Sequence, residues 1–192
     1  MRVSRVQAEE NRQAVINVSG RLFREHGFDG IGLKDLMKGA GLTQGAFYKQ
    51  FASKEDLAAQ ASKRAMESAG QRWAAAVAAN PDDPLGAVLG FYLSMEHSQE
   101  KMDGCPIAAL GSDAARQGTS VKDSFEAGIK THLEALGSMI PGADGEPTNG
   151  KAMAILSIML GALTLSRAVN DPELAQSFLT SAAHHIRETV AT

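Results

Sequence analysis

The sequence predicts an all-α protein in which a small three-helix head precedes a larger helical body. Apolar residues recur at helical spacing through most of the chain, and clusters of glycine, proline and asparagine separate about nine such segments. No stretch alternates with a period of two for long enough to form a strand. We therefore expect about nine α-helices, with the head over residues 1–53 and the body over residues 54–192.

The composition narrows the class of protein. The chain has 192 residues, of which 44% are hydrophobic, so it is long enough to bury a core of its own. A single cysteine excludes an internal disulfide and favours a reducing, cytoplasmic setting. The amino-terminal residues lack the apolar core of a signal peptide, and the longest apolar stretch, residues 152–165, is short for a bilayer span. We expect that stretch to form a buried helix.

Charge is unevenly distributed along the chain. Residues 1–64 hold 11 lysines and arginines against 7 acidic residues, whereas the remainder holds 8 against 15. A basic head on an acidic body is expected if only the head contacts a polyanion. Ordinary variation in surface charge produces the same asymmetry. Assigning the head to a polyanion therefore also requires a sequence motif for such binding.

The helices of the head begin and end at recognisable signals. Gly27 terminates the first helix, because glycine accepts the backbone conformation that follows a helix end. Ser53 is placed to cap a long helix whose first turn carries two acidic residues. The expected ranges are about 8–25, 33–40, 43–51 and 53–79.

The body follows a break at residues 80–84. Pro84 suits the first position of a helix, since its missing N–H is not needed there. Residues 141–150, rich in glycine and proline, are expected to form a loop. The further helices are expected over about 84–95, 107–116, 121–140, 151–169 and 172–189.

The second and third helices have the pattern of a helix-turn-helix motif. Gly41 supplies the positive φ that a tight turn between two steeply crossing helices requires. Thr43 can cap the third helix, whose first turn is then free to enter a major groove. The small core between the helices is expected to contain Leu36, Ala40, Leu42, Phe47 and Phe51.

The third helix carries the candidate DNA contacts. Gln44, Gly45 and Ala46 would face base edges, because glutamine can bond adenine through two atoms and glycine permits close approach. Tyr48, Lys49 and Lys54 are suited to phosphate oxygens. A plain helix-loop-helix inside a bundle is the structural alternative.

Residues 41–57, together with residues 22–28, resemble the head of the TetR family, the tetracycline-repressor-like regulators. The resemblance covers about residues 10–57 and implies a homodimer, a buried inducer pocket in the body and release of operator DNA on ligand binding. Two positions depart from the pattern. Gly32 stands where a capping threonine is common, which weakens one end of the second helix. Met37 stands where a small alanine is common, which changes the local packing.

The body offers candidates for an inducer pocket and for a sensor. We expect a small apolar inducer to lie between the helices over 54–79, 84–95, 121–140 and 151–169. Its candidate contacts are Trp73, Tyr92, Met95, Phe125 and Met159.

Cys105 lies near the start of a helix, where the dipole favours a thiolate, so an electrophile- or redox-sensing repressor is an alternative. Free cysteine is, however, more often a small buried apolar residue. No cofactor or metal is expected, because the five histidines are scattered or, as His184 and His185, adjacent and diverging on a helix.

The last two helices are expected to form the dimer interface. The helix over 151–169 is apolar nearly all round and must be covered on both sides. The candidate interface residues are Leu156, Met159, Leu163, Phe178 and Ile186.

Two other classes of function compete with the regulator. A small all-α enzyme would use Cys105 and would not bind DNA, and a helical adaptor would bind a protein through the last two helices. Neither requires the run over residues 41–57, so we expect a DNA-binding, ligand-responsive repressor that is not an enzyme.

Overall fold

The computed structural model describes residues 4–140 and 150–191 and contains only α-helices as regular structure in those ranges. The all-α prediction is confirmed. The predicted loop over 141–150 lies, except for its last residue, outside the described residues. The ten helices described are α1 (Arg5–His26), α2 (Leu33–Gly39), α3 (Gln44–Phe47), α4 (Lys54–Ala79), α5 (Pro84–Tyr92), α6 (Met95–Gln99), α7 (Pro106–Ala114), α8 (Thr119–Met139), α9 (Gly150–Ala168) and α10 (Pro172–Ala191).

One predicted helix is two helices, which is why the described ranges hold ten helices where nine were expected. The segment from Pro84 to Met95 breaks after Tyr92. The hydroxyl of Ser94 accepts a hydrogen bond from the backbone N–H of His97 at 3.1 Å and caps a new helix, α6. A serine that bonds the backbone locally competes with helix continuation, so the chain turns there.

Helices α1 to α3 form the head around an apolar core. Phe23 of α1, Leu36 of α2 and Phe47 of α3 are each fully buried. Met37, where a small residue is common, is also fully buried in this core. The third helix is shorter than predicted, because it ends at Phe47 and continues as a turn.

Helix α4 joins the head to the body. Ser53 caps it, as predicted, by accepting a hydrogen bond from the N–H of Asp56 at 3.0 Å. It packs against α1 of the head and against α8 of the body. The head also contacts α7 directly, where the N–H of Phe28 donates to a carboxylate oxygen of Asp113 at 3.3 Å.

Helices α9 and α10 pack against each other. By length and composition α9 could cross a membrane, and 39% of its most apolar window is buried within the protein. Because α9 also packs against α7 and α8, its apolar composition is accounted for by the core.

Candidate functional site

The turn between α2 and α3 has the geometry that the motif predicted. Gly41 has φ 72°, a conformation that side chains with a Cβ rarely adopt, and Gly27 after α1 has φ 77°. The N–H of Leu42 donates to the carbonyl oxygen of Met37 at 2.9 Å and closes the turn. The turn therefore directs α3 outward, so that this helix lies at the surface of the head.

Two of the three residues expected to read bases are exposed on α3. Thr43, Gln44 and Gly45 are exposed, whereas Ala46 is half-buried against the head core. Thr43 occupies the N-cap position with extended backbone, but its hydroxyl makes no capping hydrogen bond, so that part of the prediction is corrected. Thr43 is exposed, so water can satisfy its hydroxyl and the first N–H groups of α3 instead.

Gly45 has open space around it. A Cβ built on this residue would approach only the hydroxyl oxygen of Thr43, at 4.0 Å. Nothing within the described protein therefore requires glycine at this position, in contrast with Gly41. The absence of a side chain leaves the surface of α3 flat where another molecule could approach closely.

The candidate phosphate contacts flank α3. Tyr48 is 68% exposed, and Lys49 beside it is also exposed. Lys54 is half-buried at the first position of α4. Tyr48 and Lys49 thus directly follow α3, and Lys54 begins α4.

The body contains a polar cavity of about 290 Å³ that reaches the head. Its walls come from α1, α4, α5, α8 and the segment from His97 to Cys105. The side chains with polar or aromatic groups in these walls include Arg24, Arg72, Trp73, Tyr92, His97 and Cys105. Sequence reasoning identified Trp73, Tyr92 and Cys105 but missed the arginines and His97, because only the tertiary fold brings them together.

His97 organises one wall of this cavity. Its Nδ1 lies 2.7 Å from the carbonyl oxygen of Tyr92, and its Nε2 accepts a hydrogen bond from the N–H of Cys105 at 3.1 Å. These two bonds require a neutral imidazole protonated on Nδ1. Burial lowers the pKa of His97, and the positive charges of Arg167 and Arg72 lower it further, while the Tyr92 carbonyl raises it.

Three arginines from three helices converge on the segment from His97 to Cys105. Arg24 of α1 donates to the carbonyl oxygen of Met102, and Arg72 of α4 donates to that of Asp103 at 2.6 Å. Arg167 of α9 donates to the carbonyl oxygens of His97, Ser98 and Glu100 at 2.9–3.1 Å. One short segment therefore connects the head, the linking helix α4 and helix α9.

A larger and more apolar groove of about 980 Å³ lies between α4 and α8. Trp73 and His132 line both the groove and the polar cavity, so they form the wall between the two. The apolar side chains that line the groove alone include Met66, Val77, Ala127, Ala135 and Met139.

The structure does not bring the five candidate inducer contacts together. Trp73 borders both cavities and Tyr92 borders only the polar one, whereas Phe125 lines a separate surface groove of about 510 Å³ between α7 and α8. Met159 is fully buried in the core and Met95 is half-buried, and neither lines any of these three cavities.

Most of the candidate interface residues are core residues. Leu156, Met159, Leu163 and Ile186 are 0–5% exposed within the single chain, which leaves them almost no surface for a second chain. Phe178 is half-buried. These four residues pack within the single chain, where α9 contacts α7, α8 and α10, and their part in an interface stays a prediction. The exposed apolar residues of the pair are Met153, Leu165 and Leu174, at 42–47%.

Cys105 is the N-cap residue of α7 and is buried, with 5% of its surface exposed. Its sulfur neighbours the hydroxyl of Tyr92, whose pKa is raised well above its ordinary value, first by burial and then by the thiol. Within residues 4–140 and 150–191, no three side chains of the metal-binding types cluster as a metal site would require.

Comparison with known proteins agrees with this geometry. The family described as "Bacterial regulatory proteins, tetR family" matches residues 15–61. The HTH-type transcriptional regulator AcrR of Shigella flexneri is 32% identical over 87 residues, which make up 45% of this chain and 40% of AcrR. The HTH-type transcriptional repressor NemR of Escherichia coli K12 is 21% identical over 196 residues, with 95% of each chain covered.

Solved structures share the whole fold. The crystal structure of the reduced form of E. coli NemR superposes with a TM-score of 0.77 at 20% identity, over 93% of this chain and 96% of NemR. A TetR transcriptional regulator from Chloroflexus aurantiacus superposes with a TM-score of 0.78 at 25% identity, over 94% and 96% of the two chains. The helix-turn-helix head over residues 15–61 therefore matches the TetR family of transcriptional regulators, and the chain as a whole shares the fold of solved TetR regulators.

Proposed function

We propose that the protein is a cytoplasmic repressor that binds a near-palindromic operator as a homodimer and releases it when a small apolar molecule binds the body. The exposed face of α3 carries this proposal. Gln44 and Gly45 lie on that face and Lys49 beside it, and the side chains behind them, such as Phe47, are fully buried. A rigid base beneath an exposed polar tip is what reading base edges in a major groove requires.

The homodimer is proposed to form through the exposed sides of α9 and α10. Met153, Leu165 and Leu174 are large apolar side chains that the single chain leaves 42–47% exposed. Exposed apolar residues on neighbouring helices favour a self-complementary contact between two copies. Two heads in a dimer would contact half-sites about one helical turn or more apart.

The apolar groove between α4 and α8 is the proposed inducer site. Its volume of about 980 Å³ is at the upper end of the usual range for small-molecule sites. Trp73 forms part of its wall and lies on the same uninterrupted helix as Lys54. A molecule that separates α4 from α8 would therefore move the phosphate contacts of the head, and a coupling of about 1–3 kcal/mol would lower operator affinity several-fold to a hundredfold.

Selection of duplexes from a random pool with the purified dimer tests the proposal. We expect a single inverted-repeat motif, with affinity that falls steeply as salt rises because phosphate contacts release counterions. Ala127→Leu, which adds bulk inside the groove, should preserve operator binding while weakening release by apolar ligands. A protein that selects no motif, or binds duplexes with no dependence on salt, would contradict the proposal.

Covalent sensing through Cys105 is the second candidate. Cys105 lines the polar cavity beside the segment that Arg24 ties to the head, so a modified thiol would disturb that contact. The likeness to NemR, whose solved structure is described as a reduced form, agrees with a redox-sensitive relative. Operator release by hypochlorite or a quinone in the wild type, and its loss in Cys105→Ser, would support this route; equal release in both proteins would exclude it.

A further inference from the structure

We infer that Arg12 of α1 is a positioning residue for DNA recognition, which fixes the turn between α3 and α4 from within the head and does not itself bind a phosphate. The inference rests on the proposed operator binding and names a side chain on which the geometry of that surface depends. Its evidence is a series of hydrogen bonds and a row of ring contacts, both of which begin at the Arg12 guanidinium.

The recognition surface needs such support because α3 is short. The helix has four residues, and no helix follows until α4 begins at Lys54. A helix of this length has little stability of its own, so its orientation is set by the residues against which it packs. Tyr48 and Lys49, two of the proposed phosphate contacts, belong to the turn that follows α3. Their placement therefore depends on what holds the turn.

The guanidinium of Arg12 is connected to this turn through α4. Nη2 of Arg12 donates to the side-chain oxygen of Gln60, and the amide nitrogen of Gln60 donates to Oδ1 of Asp56 at 2.7 Å. The other carboxylate oxygen of Asp56 accepts a hydrogen bond from the backbone N–H of Ala52 at 3.0 Å. These three side chains, which we call the Arg12 network, thus join α1 to the backbone of the turn.

Gln60 is suited to the middle of the Arg12 network. A guanidinium only donates hydrogen bonds and a carboxylate only accepts them, so a group between the two must do both, as a primary amide does. The network also includes the cap of α4, because Asp56 donates its own N–H to the Ser53 hydroxyl at 3.0 Å. It therefore holds the first turn of α4, where Lys54 lies.

The same guanidinium covers the aromatic rings behind α3. Its central carbon lies 5.6 Å from the centre of the Phe51 ring, within the range of a cation–π contact. Phe51 stacks on Phe47 with centroids 5.5 Å apart, and Phe47 meets Tyr48 edge to face at 5.3 Å. Because Phe51 and Phe47 are buried, Arg12 supports a row of rings that ends at the exposed Tyr48.

Arg12 is already engaged within the protein. Its side chain is 32% exposed, and besides Gln60 it lies near Glu9 of the same helix, with Nη1 3.8 Å from a carboxylate oxygen. To bind a phosphate in a bidentate manner, the guanidinium would have to leave Gln60 and the Phe51 ring. A positioning role and a phosphate contact therefore predict different effects of substitution.

Two variants of similar side-chain length test the role on a selected duplex. Arg12→Met and Gln60→Met should each weaken operator binding about tenfold, and the double variant should be little weaker than either, since both changes break the same network. Gln60→Met alters no charge, so its slope of log K against log salt should equal that of the wild type. Arg21→Met removes the same charge from α1, at a residue that pairs with Asp103 at 2.9 Å, and should keep wild-type affinity. The slope of Arg12→Met should equal that of this control.

Hydrogen exchange of the free protein tests the Arg12 network without DNA. The amide of Ala52, followed by NMR, should exchange about tenfold faster in Arg12→Met and in Gln60→Met than in Arg21→Met, because its acceptor Asp56 is no longer held in place. Circular dichroism shows whether each variant is folded. If Arg12→Met does not fold, Gln60→Met still carries both measurements.

The possible outcomes are distinguishable. Unchanged exchange together with wild-type affinity in Gln60→Met would overturn the positioning role. A loss of affinity confined to Arg12→Met, with a slope lower by about 1 than that of Arg21→Met, would overturn it by making Arg12 a phosphate contact. Additive losses in the double variant would also overturn it, because the two side chains would then act separately. Faster exchange in variants of a protein whose wild type selects no duplex would support the network and contradict the repressor proposal alone.

Discussion

The rings of Trp73 and His132 meet edge to face, with centroids 4.6 Å apart, and this pair separates the polar cavity from the apolar groove. The Nδ1 of His132 lies 2.7 Å from the carbonyl oxygen of Gly128, which holds the imidazole in place against the indole. A ligand on either side therefore contacts the same wall. We expect the two cavities to be energetically coupled.

That coupling predicts that ligands of the two cavities change each other's affinity. Because linkage is reciprocal, a molecule bound in the polar cavity should alter the Kd of an apolar groove ligand by the same factor as the groove ligand alters the Kd of that molecule. Calorimetric titration of each ligand in the presence and absence of the other measures both factors. Independent binding of the two would show that the wall is rigid.

DNA-binding variants should divide into two classes. Lys49→Ala should weaken binding to all duplexes alike and reduce the slope of log K against log salt by about 1, because one phosphate contact is lost. Gln44→Ala should instead relax the preference at one base position, at a cost of about 1–3 kcal/mol. Fluorescence anisotropy on selected and scrambled duplexes distinguishes them. An unchanged selected motif in Gln44→Ala would remove this residue from base reading.

The two glycines of the motif should respond differently to alanine. Gly45→Ala should leave the free energy of unfolding nearly unchanged, since a Cβ there meets only the Thr43 hydroxyl at 4.0 Å, but should weaken operator binding. Gly41→Ala should destabilise the head by about 1–2 kcal/mol, because its φ of 72° strains a residue with a Cβ. Urea denaturation and duplex binding of both variants give the comparison. A destabilised Gly45→Ala would contradict the open surface around this residue.

Charge placed on the exposed sides of α9 and α10 should distinguish interface positions from core positions. Leu165→Glu combined with Leu174→Glu should give a folded monomer, because both side chains are more than 40% exposed in the single chain. Leu163→Glu, at a fully buried position of the same helix, should prevent folding instead. Sedimentation velocity measures whether each variant is a monomer or a dimer, and circular dichroism measures whether it is folded. A dimer that persists in the double variant would place the interface on another face.

Acid should destabilise the fold through two buried histidines. Burial is the main cause of the lowered pKa of both His97 and His132, so the folded chain holds their protons less tightly than the unfolded chain does. Each therefore contributes stability above its unfolded pKa of about 6.5 and loses it as the pH falls through its lower folded pKa.

Thermal denaturation between pH 7 and pH 5 measures this loss. The Tm should fall with pH in the wild type and less steeply in His97→Gln and in His132→Gln. His184→Gln is the matched control, because the side chain of His184 is 73% exposed. A slope that none of the three variants changes would assign the acid sensitivity to other groups.

Local sequence patterns by themselves determined the main features of the head. The positive φ of Gly41, the cap at Ser53 and the helix end at Gly27 each depend on residues within a few positions of one another, so the sequence predicts them correctly. The all-α class follows for the same reason. The break after Tyr92 was missed because a serine cap inside an apolar segment is a weak local signal.

The tertiary structure alone decided the cavities and the side of α9 that remains exposed. Leu156 and Leu165 look equivalent in an apolar helix, yet packing within the chain buries the first and leaves the second 47% exposed. Arg24 and Arg72 meet at one segment only because α1 and α4 pack side by side. Helical periodicity specifies which residues share a face, but the partner of that face is set by contacts between residues distant in the chain, and no local pattern encodes them.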